Sequence, residues 1–234
     1  MSALHWLSLP LSGVAEHHLA PWAVWHARCM VLAWSVLLPL GVLAARFFKV
    51  LPGQNWPQRL DHPGWWTTHR VTQYSGVAVM TLGLLLAYNM GSRSTLFAQI
   101  HVGAGWALCG AGWAQVCGGW LRGDKGGPTE AALHGDHYDM TPRRLAFETI
   151  HKGLGWLCLL ASIGVTGMGL VVADAPRWMS LLLALWWAAL AMAGFVLQRR
   201  GCCIDTYQAI WGPGAEHPGN GVTPIGWGVR RLSG

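Results

Sequence analysis

The chain has 234 residues, of which 53% are hydrophobic and only 11% charged, and 16 are tryptophan. A soluble domain carries roughly 25% charged residues, so this composition argues against an aqueous fold and for lipid as the main solvent. The net charge of +6 would invite a nucleic-acid partner, but the basic residues sit in short links between apolar runs. Nothing resembles a base-reading or stacking module, and no nucleic-acid partner is expected.

Residues 1–21 contain no Lys or Arg, and Pro10 interrupts their apolar part. That is not the pattern of a cleavable signal. The segment reads instead as a short interfacial piece on the outer side. Five apolar stretches of spanning length follow. They cover about Trp22 to Phe47, Trp66 to Tyr88, Leu96 to Trp120, Leu145 to Val172 and Arg177 to Leu197. The link LPGQNWPQRLDHPG after the first is too rich in Pro and Gly to be helical. The longest loop, LRGDKGGPTEAALHGDHYDMTPRR, follows the third. The expected fold is an all-α integral membrane protein: an outer segment 1–21, a five-helix transmembrane domain 22–198 and a polar tail 199–234. That tail, rich in Trp, Gly and Pro, is expected to dock on the inner ends of the helices or on a partner, with a loose extension as the alternative.

Six cysteines are present. Four lie singly in apolar helices, where Cys packs as a small hydrophobe. Cys202 and Cys203 are adjacent and lack the CxxC spacing of a metal or redox site.

Orientation follows from the cations. Thirteen Lys and Arg fall in or beside the links after spans one, three and five, against Arg28, Arg93 and Arg177 on the other side. The bias puts the carboxyl terminus in the cytoplasm and, with five spans, the amino terminus outside.

The histidines carry the chemistry. A ligating side chain inside a span is costly and is a functional candidate by default. Of eleven histidines, His5, His17, His18, His62, His134, His137 and His217 fall in tails and loops. The other four are spread one per helix: His26, His69, His101 and His151. His26 and His101 begin spans that run inward, so both lie toward the outer face. His69 and His151 begin spans that run outward, so both lie toward the inner face. From His26 to Arg46 is 20 residues, or about 30 Å of helix, and the two pairs are expected in opposite leaflets.

Two imidazoles from facing helices are what a haem needs as axial ligands, and bundles build cofactor sites from inward side chains. Filling both axial positions favours outer-sphere electron transfer over oxygen activation. The expected cofactor is haem b, two per chain, with His26, His101, His69 and His151 as iron ligands. Haem carboxylates need cations. Arg70 and Lys152, which follow the inner histidines directly, Arg46, Arg143 and Arg144 nearby, and Arg28 and Arg93 outside are the candidates; the charge bias alone also accounts for their positions. Other readings of the four histidines are helix–helix hydrogen bonding and a transported metal ion. The latter would prefer a cluster at one depth with carboxylates or thiols, and no Asp or Glu lies mid-span. In the loop, His134, Asp136, His137 and Asp139 leave a metal site open, a solvated loop at the inner haem edge being the plainer reading.

The sequence resembles the cytochrome b561 superfamily, in the form associated with DOMON-type reductase domains. The resemblance is carried by HARCMVLAWSVLLPLGVLAARFFK in span one, with His26, Met30, Trp34, Pro39, Gly41 and Ala45–Arg46. It continues in WWTTHRVTQYSG around His69 and Gln73, in HVGAGW around His101 and in HKGLGW around His151, over roughly residues 22–172. It implies that His26 pairs with His101 and His69 with His151, in a four-helix haem core flanked by span five. It also implies a multi-pass protein of the bacterial plasma membrane, with a periplasmic amino terminus. The chain departs from the fuller architecture in having five spans and no DOMON domain, and no motif for an ascorbate site transfers.

The expected function is transmembrane electron transfer, with quinone, a cytochrome or another redox subunit as partner besides membrane lipid. The alternative is an accessory haem-binding subunit of a larger respiratory or photosynthetic membrane complex. A metal-ion transporter is a third reading.

Overall fold

The computed structural model describes residues 2–13, 19–60, 62–88, 95–126 and 134–232. His17, His18 and Arg93 lie outside these. Among the described residues there is no strand, only isolated bridges.

A six-residue helix α1, Ala3–Ser8, starts at Ser2, whose hydroxyl accepts from the His5 amide at 3.3 Å. Five long helices follow: α2 Pro21–Phe47, α3 Gly64–Ala87, α4 Leu96–Trp120, α5 Pro142–Val172 and α6 Arg177–Arg199. A short α7, Thr206–Trp211, lies in the tail. Each expected span has its helix, with ends within a few residues. Three helices (α2, α5 and α6) are long and apolar enough to cross a membrane. Helices α3 and α4 have the length, 24 and 25 residues, but Thr, Gln, His, Gly and Trp dilute their hydropathy. Five spans are thus supported for three helices. No residue of α6 is buried, and Leu182, Leu185, Met192 and Phe195 are each more than half exposed. Such a large apolar face belongs against lipid rather than water.

The chain divides into two compact units. The first comprises Met1–Pro39, Gln73–Trp113 and Cys158–Met192. In it, α2 packs on α3 through glycines: a side chain at Gly83 would meet the Cys29 Cβ at 2.9 Å, and one at Gly76 the Leu38 side chain at 2.8 Å. Trp113 of α4 donates to the Thr81 hydroxyl of α3 at 3.0 Å. Helix α2 is a π-helix over Leu32–Leu37, its Leu38 amide reaching back to Ala33. Pro39 has no N–H for the Ser35 carbonyl four residues earlier, the acceptor a regular helix would assign it. The Trp186 indole of α6 takes up that carbonyl at 2.6 Å, which fastens α6 to α2. The amino-terminal segment is tied down as well. Leu11 donates to the Ala175 carbonyl, and the Ser12 amide and hydroxyl bond Asp174. Arg177 lies over Trp6.

The second unit comprises Leu40–Thr72, Ala114–Leu157 and Ala193–Gly234. Its core is Met140, Tyr207 and Trp211, with Tyr138, Leu145 and Ile225 against them. The tail is therefore folded in, not loose. Tyr207 donates to the Tyr138 carbonyl at 2.7 Å, and Arg231 pairs with the buried Asp205 at 3.1 Å. Lys49, Arg46 and Lys152 each donate to a tail carbonyl, those of Ile204, Trp227 and Ile225. His137 corrects the expectation of a solvated loop. It is 3% exposed, its ring against Tyr207 and Trp211 at 5.6 and 6.0 Å. Its Nε2 has no hydrogen-bond partner. Burial, and then the Arg144 charge, push its pKa down to about 3, so it is a neutral packing residue. His134 is exposed and bonds Asp139 at 2.7 Å, while Asp136 bonds Thr141. The tail residues Tyr207 and Trp211 pack against His137 and help to bury it.

Two outcomes follow from this packing. Trp186→Phe strands the Ser35 carbonyl and should cost about 1–3 kcal/mol, seen as a lowered thermal midpoint in detergent; an unchanged midpoint would mean the indole bond contributes nothing. For His137 the folded pKa lies below the ordinary 6.5, so the unfolded chain binds the proton first. Its stabilisation is complete above pH 6.5 and lost as the pH falls toward about 3. His137→Phe should therefore make the fall of the thermal midpoint with acidification shallower over that window; an identical slope in both proteins would contradict the assignment.

Candidate functional site

Each unit contains one pair of facing histidines. In the first, His26 of α2 and His101 of α4 place their ring centroids 6.4 Å apart with planes at 90°. In the second, His69 of α3 and His151 of α5 stand 6.3 Å apart at 82°. All four side chains are partly buried.

The helices orient three of the rings through backbone carbonyls. His26 Nδ1 lies 2.8 Å from the Gly83 oxygen, His69 Nδ1 3.0 Å from that of Gly41, and His101 Nδ1 3.1 Å from that of Val165. A carbonyl only accepts, so each Nδ1 carries the proton and each Nε2 keeps its lone pair. This is the arrangement found around metal-bound imidazoles, where the other ring nitrogen donates to a fixed acceptor. His151 differs: its Nδ1 is buried without a partner, while Gln115 bonds its main-chain oxygen at 2.9 Å and Phe147 stacks on the ring at 5.0 Å.

The spacing of each pair has a simple reading. Two metal–nitrogen bonds of about 2 Å, with about 1 Å from each nitrogen to its ring centre, span roughly 6 Å. One ion therefore fits between the rings of each pair. No group of three or more His, Cys, Asp or Glu able to hold a metal occurs among the described residues. Two protein ligands per ion suit a metal whose remaining positions come from a macrocycle. The surroundings allow one. Gly105 lies one helical turn beyond His101, and a Cβ there would meet nothing within 4 Å. At Gly169 a Cβ would approach the His101 ring at 3.1 Å, so that glycine leaves the ring its place.

The cations named from the sequence have different surroundings. Arg28 is exposed and lies over Trp25; Arg70 is exposed beside Trp66, which itself stacks on His69 at 6.1 Å. Arg46 bonds Gln198 at 2.9 Å and the Trp227 carbonyl at 2.6 Å. Lys152 pairs with Glu148 at 2.6 Å and bonds the Ile225 carbonyl at 3.0 Å, and Arg144 holds the other Glu148 oxygen at 3.0 Å. Glu148 is 5% exposed, one turn before His151.

Lys49, counted from the sequence only as a topological charge, is buried in the same unit. Burial first, and the Lys152 charge second, push its pKa down to about 8, so it remains charged at neutral pH. Its place in the first link, two residues after α2, gave no sign of burial; only the folded tail covers it.

No protein-family model matches the chain, and no solved structure matches it. The chain is similar to the cytochrome b561, DM13 and DOMON domain-containing protein of Arabidopsis thaliana, 31% identical over 152 residues, which are 65% of this chain and 15% of that protein. The aligned part thus spans about 15% of the relative's length, and the similarity is to a protein whose description includes cytochrome b561.

Proposed function

We propose that the chain carries electrons across a membrane through two b haems, one held by His26 and His101 and the other by His69 and His151. The observation that carries this reading is the paired imidazoles, each pair at the spacing of one shared metal ion and three of the four rings fixed with Nε2 free. A haem bound between each pair would supply a one-electron couple.

The residues of the chain do the rest. The four imidazoles would hold the two groups, two to each, and ligation by protein on both sides would favour electron transfer over oxygen or substrate chemistry. The carbonyls of Gly83, Gly41 and Val165 hold the rings and keep them electron-rich. The positions of the histidines near the starts of successive helices assign the first pair to the outer leaflet and the second to the inner. The charge bias sets the amino terminus outside and the carboxyl terminus in the cytoplasm, and the setting is a bacterial plasma membrane spanned by five helices. The electron partners are a quinone, a cytochrome or another redox subunit. The similarity to a cytochrome b561-containing protein supports the same chemistry.

The test is spectroscopic. The purified protein should show a low-spin b-type spectrum with two haems per chain. His26→Ala and His101→Ala should each lose the same haem and spare the other, while His69→Ala and His151→Ala lose the second. A protein without a Soret band, from cells well supplied with haem, defeats the reading. Loss of different haems in His26→Ala and His101→Ala defeats the pairing.

A further inference from the structure

The tail contains a turn that the histidine pairs do not explain. Over Ile225–Gly228 the chain passes through two glycines in the left-handed region, Gly226 at φ +116° and Gly228 at φ +65°, a conformation that other residues rarely adopt. Side chains of three helices then hold three of its four carbonyls. Lys152 of α5 donates to Ile225 at 3.0 Å, Arg46 of α2 to Trp227 at 2.6 Å and the Gln198 amide of α6 to Gly228 at 2.8 Å. Arg46 also bonds Gln198, which ties these fastenings together. A turn held this firmly could keep an indole inward, yet Trp227 is 80% exposed.

Its neighbours indicate what the ring meets. The rings of Trp227 and Trp156 both lie near one guanidinium, that of Arg46, at 6.0 and 5.4 Å. Trp156 is itself 44% exposed on α5, a helix apolar enough to cross a membrane. The exposed indole thus stands beside an outward aromatic of a candidate span, and indoles favour the headgroup level of a bilayer. The exposed charges around it are of one sign. Arg199 ends α6, Arg200 follows it, and Arg230 Nε donates to the Gly201 carbonyl at 2.5 Å. All three arginines are exposed. Among the described residues none has a carboxylate within salt-bridge distance; the buried Asp205 and Glu148 are held by Arg231 and by Arg144 and Lys152. A charge bias across the membrane accounts for the arginines by themselves. It does not account for an exposed indole set rigidly among them.

We propose that this part of the tail is a binding site for an anionic phospholipid of the adjoining leaflet. The Trp227 indole enters the headgroup layer, and Arg199, Arg200 and Arg230 take the lipid phosphate. Planar guanidinium forks suit phosphate oxygens, and an anionic lipid surface attracts each cation near it. Because the turn is bonded to α2, α5 and α6, a lipid held here also keeps the tail seated on the ends of those helices. The inference rests on the membrane reading above.

The experiment uses the full-length protein in vesicles of phosphatidylcholine with a fixed share of phosphatidylglycerol. One or the other lipid carries a spin label near its headgroup, and the Trp227 emission is the parent signal minus that of Trp227→Phe. Labelled phosphatidylglycerol should half-quench it at a mole fraction about fivefold lower than labelled phosphatidylcholine, the enrichment that one engaged arginine supplies. The double variant Arg199→Gln, Arg200→Gln leaves the Arg230 bond to Gly201 in place and should bring the two fractions together, with an unchanged thermal midpoint showing that it is folded.

Equal fractions in the parent protein leave only an aromatic anchor and overturn the inference, as does a preference that survives the double variant. Quenching of Trp227 by aqueous iodide and by neither lipid overturns it as well. So does a protein that sediments as a dimer in detergent and as a monomer after Trp227→Phe, since the surface then belongs to a second copy. A chain that floats with no vesicle of either lipid overturns the membrane reading and this inference with it. Failure in a chain that does float overturns this inference alone.

Discussion

An imidazole placed among apolar helices has two nitrogens to satisfy, and in this chain the helices divide the task. In His26, His69 and His101, Nδ1 donates to a main-chain oxygen of a neighbouring helix, and a second imidazole ring stands 6.3 to 6.4 Å away. The rest of the arrangement depends on that division. It fixes the tautomer, because only a protonated Nδ1 can bond a carbonyl. It also fixes how close the helices stand, since the acceptors must come within 3.1 Å or less. Glycine is the acceptor residue at two of the three positions, Gly83 and Gly41. At Gly83 the reason is visible: a Cβ would fall 2.9 Å from the Cys29 Cβ, so any side chain would push apart the helices that bring His26 to its carbonyl.

The same economy of main-chain groups holds α6. A proline inside a helix removes one donor and leaves one carbonyl over. In water that carbonyl would be hydrated, but among lipid-facing helices it needs a protein partner. Pro39 creates the vacancy at Ser35, the π-helical stretch just before it adjusts the turn, and the Trp186 indole fills it. Helix α6 buries no residue of its own, so its attachment in the first unit leans on this bond more than on apolar packing. In the second unit the equivalent fastening is done by cations. Arg46, Lys49 and Lys152 reach tail carbonyls rather than carboxylates, which orders the tail without neutralising the charge beneath it.

The parts legible in the sequence were those with a local signature. Apolar runs bounded by Pro, Gly and charge gave helix ends close to those observed, as with Leu96 and Trp120 for α4. The depth of the four histidines brought His26 to His101 and His69 to His151 because depth along a helix is a one-dimensional quantity that residue number measures. What was not legible depends on chain segments far apart. The burial of His137 is made by Tyr207 and Trp211, some 70 residues on. The burial of Lys49 requires Ile204. Arg46 and Lys152 looked available to a ligand because nothing local marks Trp227 and Ile225 as their acceptors.

The two histidine pairs are alike in spacing and unlike in support, and the difference has a direction. In the first pair both rings donate to carbonyls, which would make both imidazoles better electron donors toward a bound metal. In the second only His69 does so; the His151 Nδ1 is buried without an acceptor. A poorer donor stabilises an oxidised metal less. On the haem reading, ligand support would place the centre held by His69 and His151 at the higher potential. On that reading the unsupported imidazole, rather than any difference in ligand identity, would set the two centres apart.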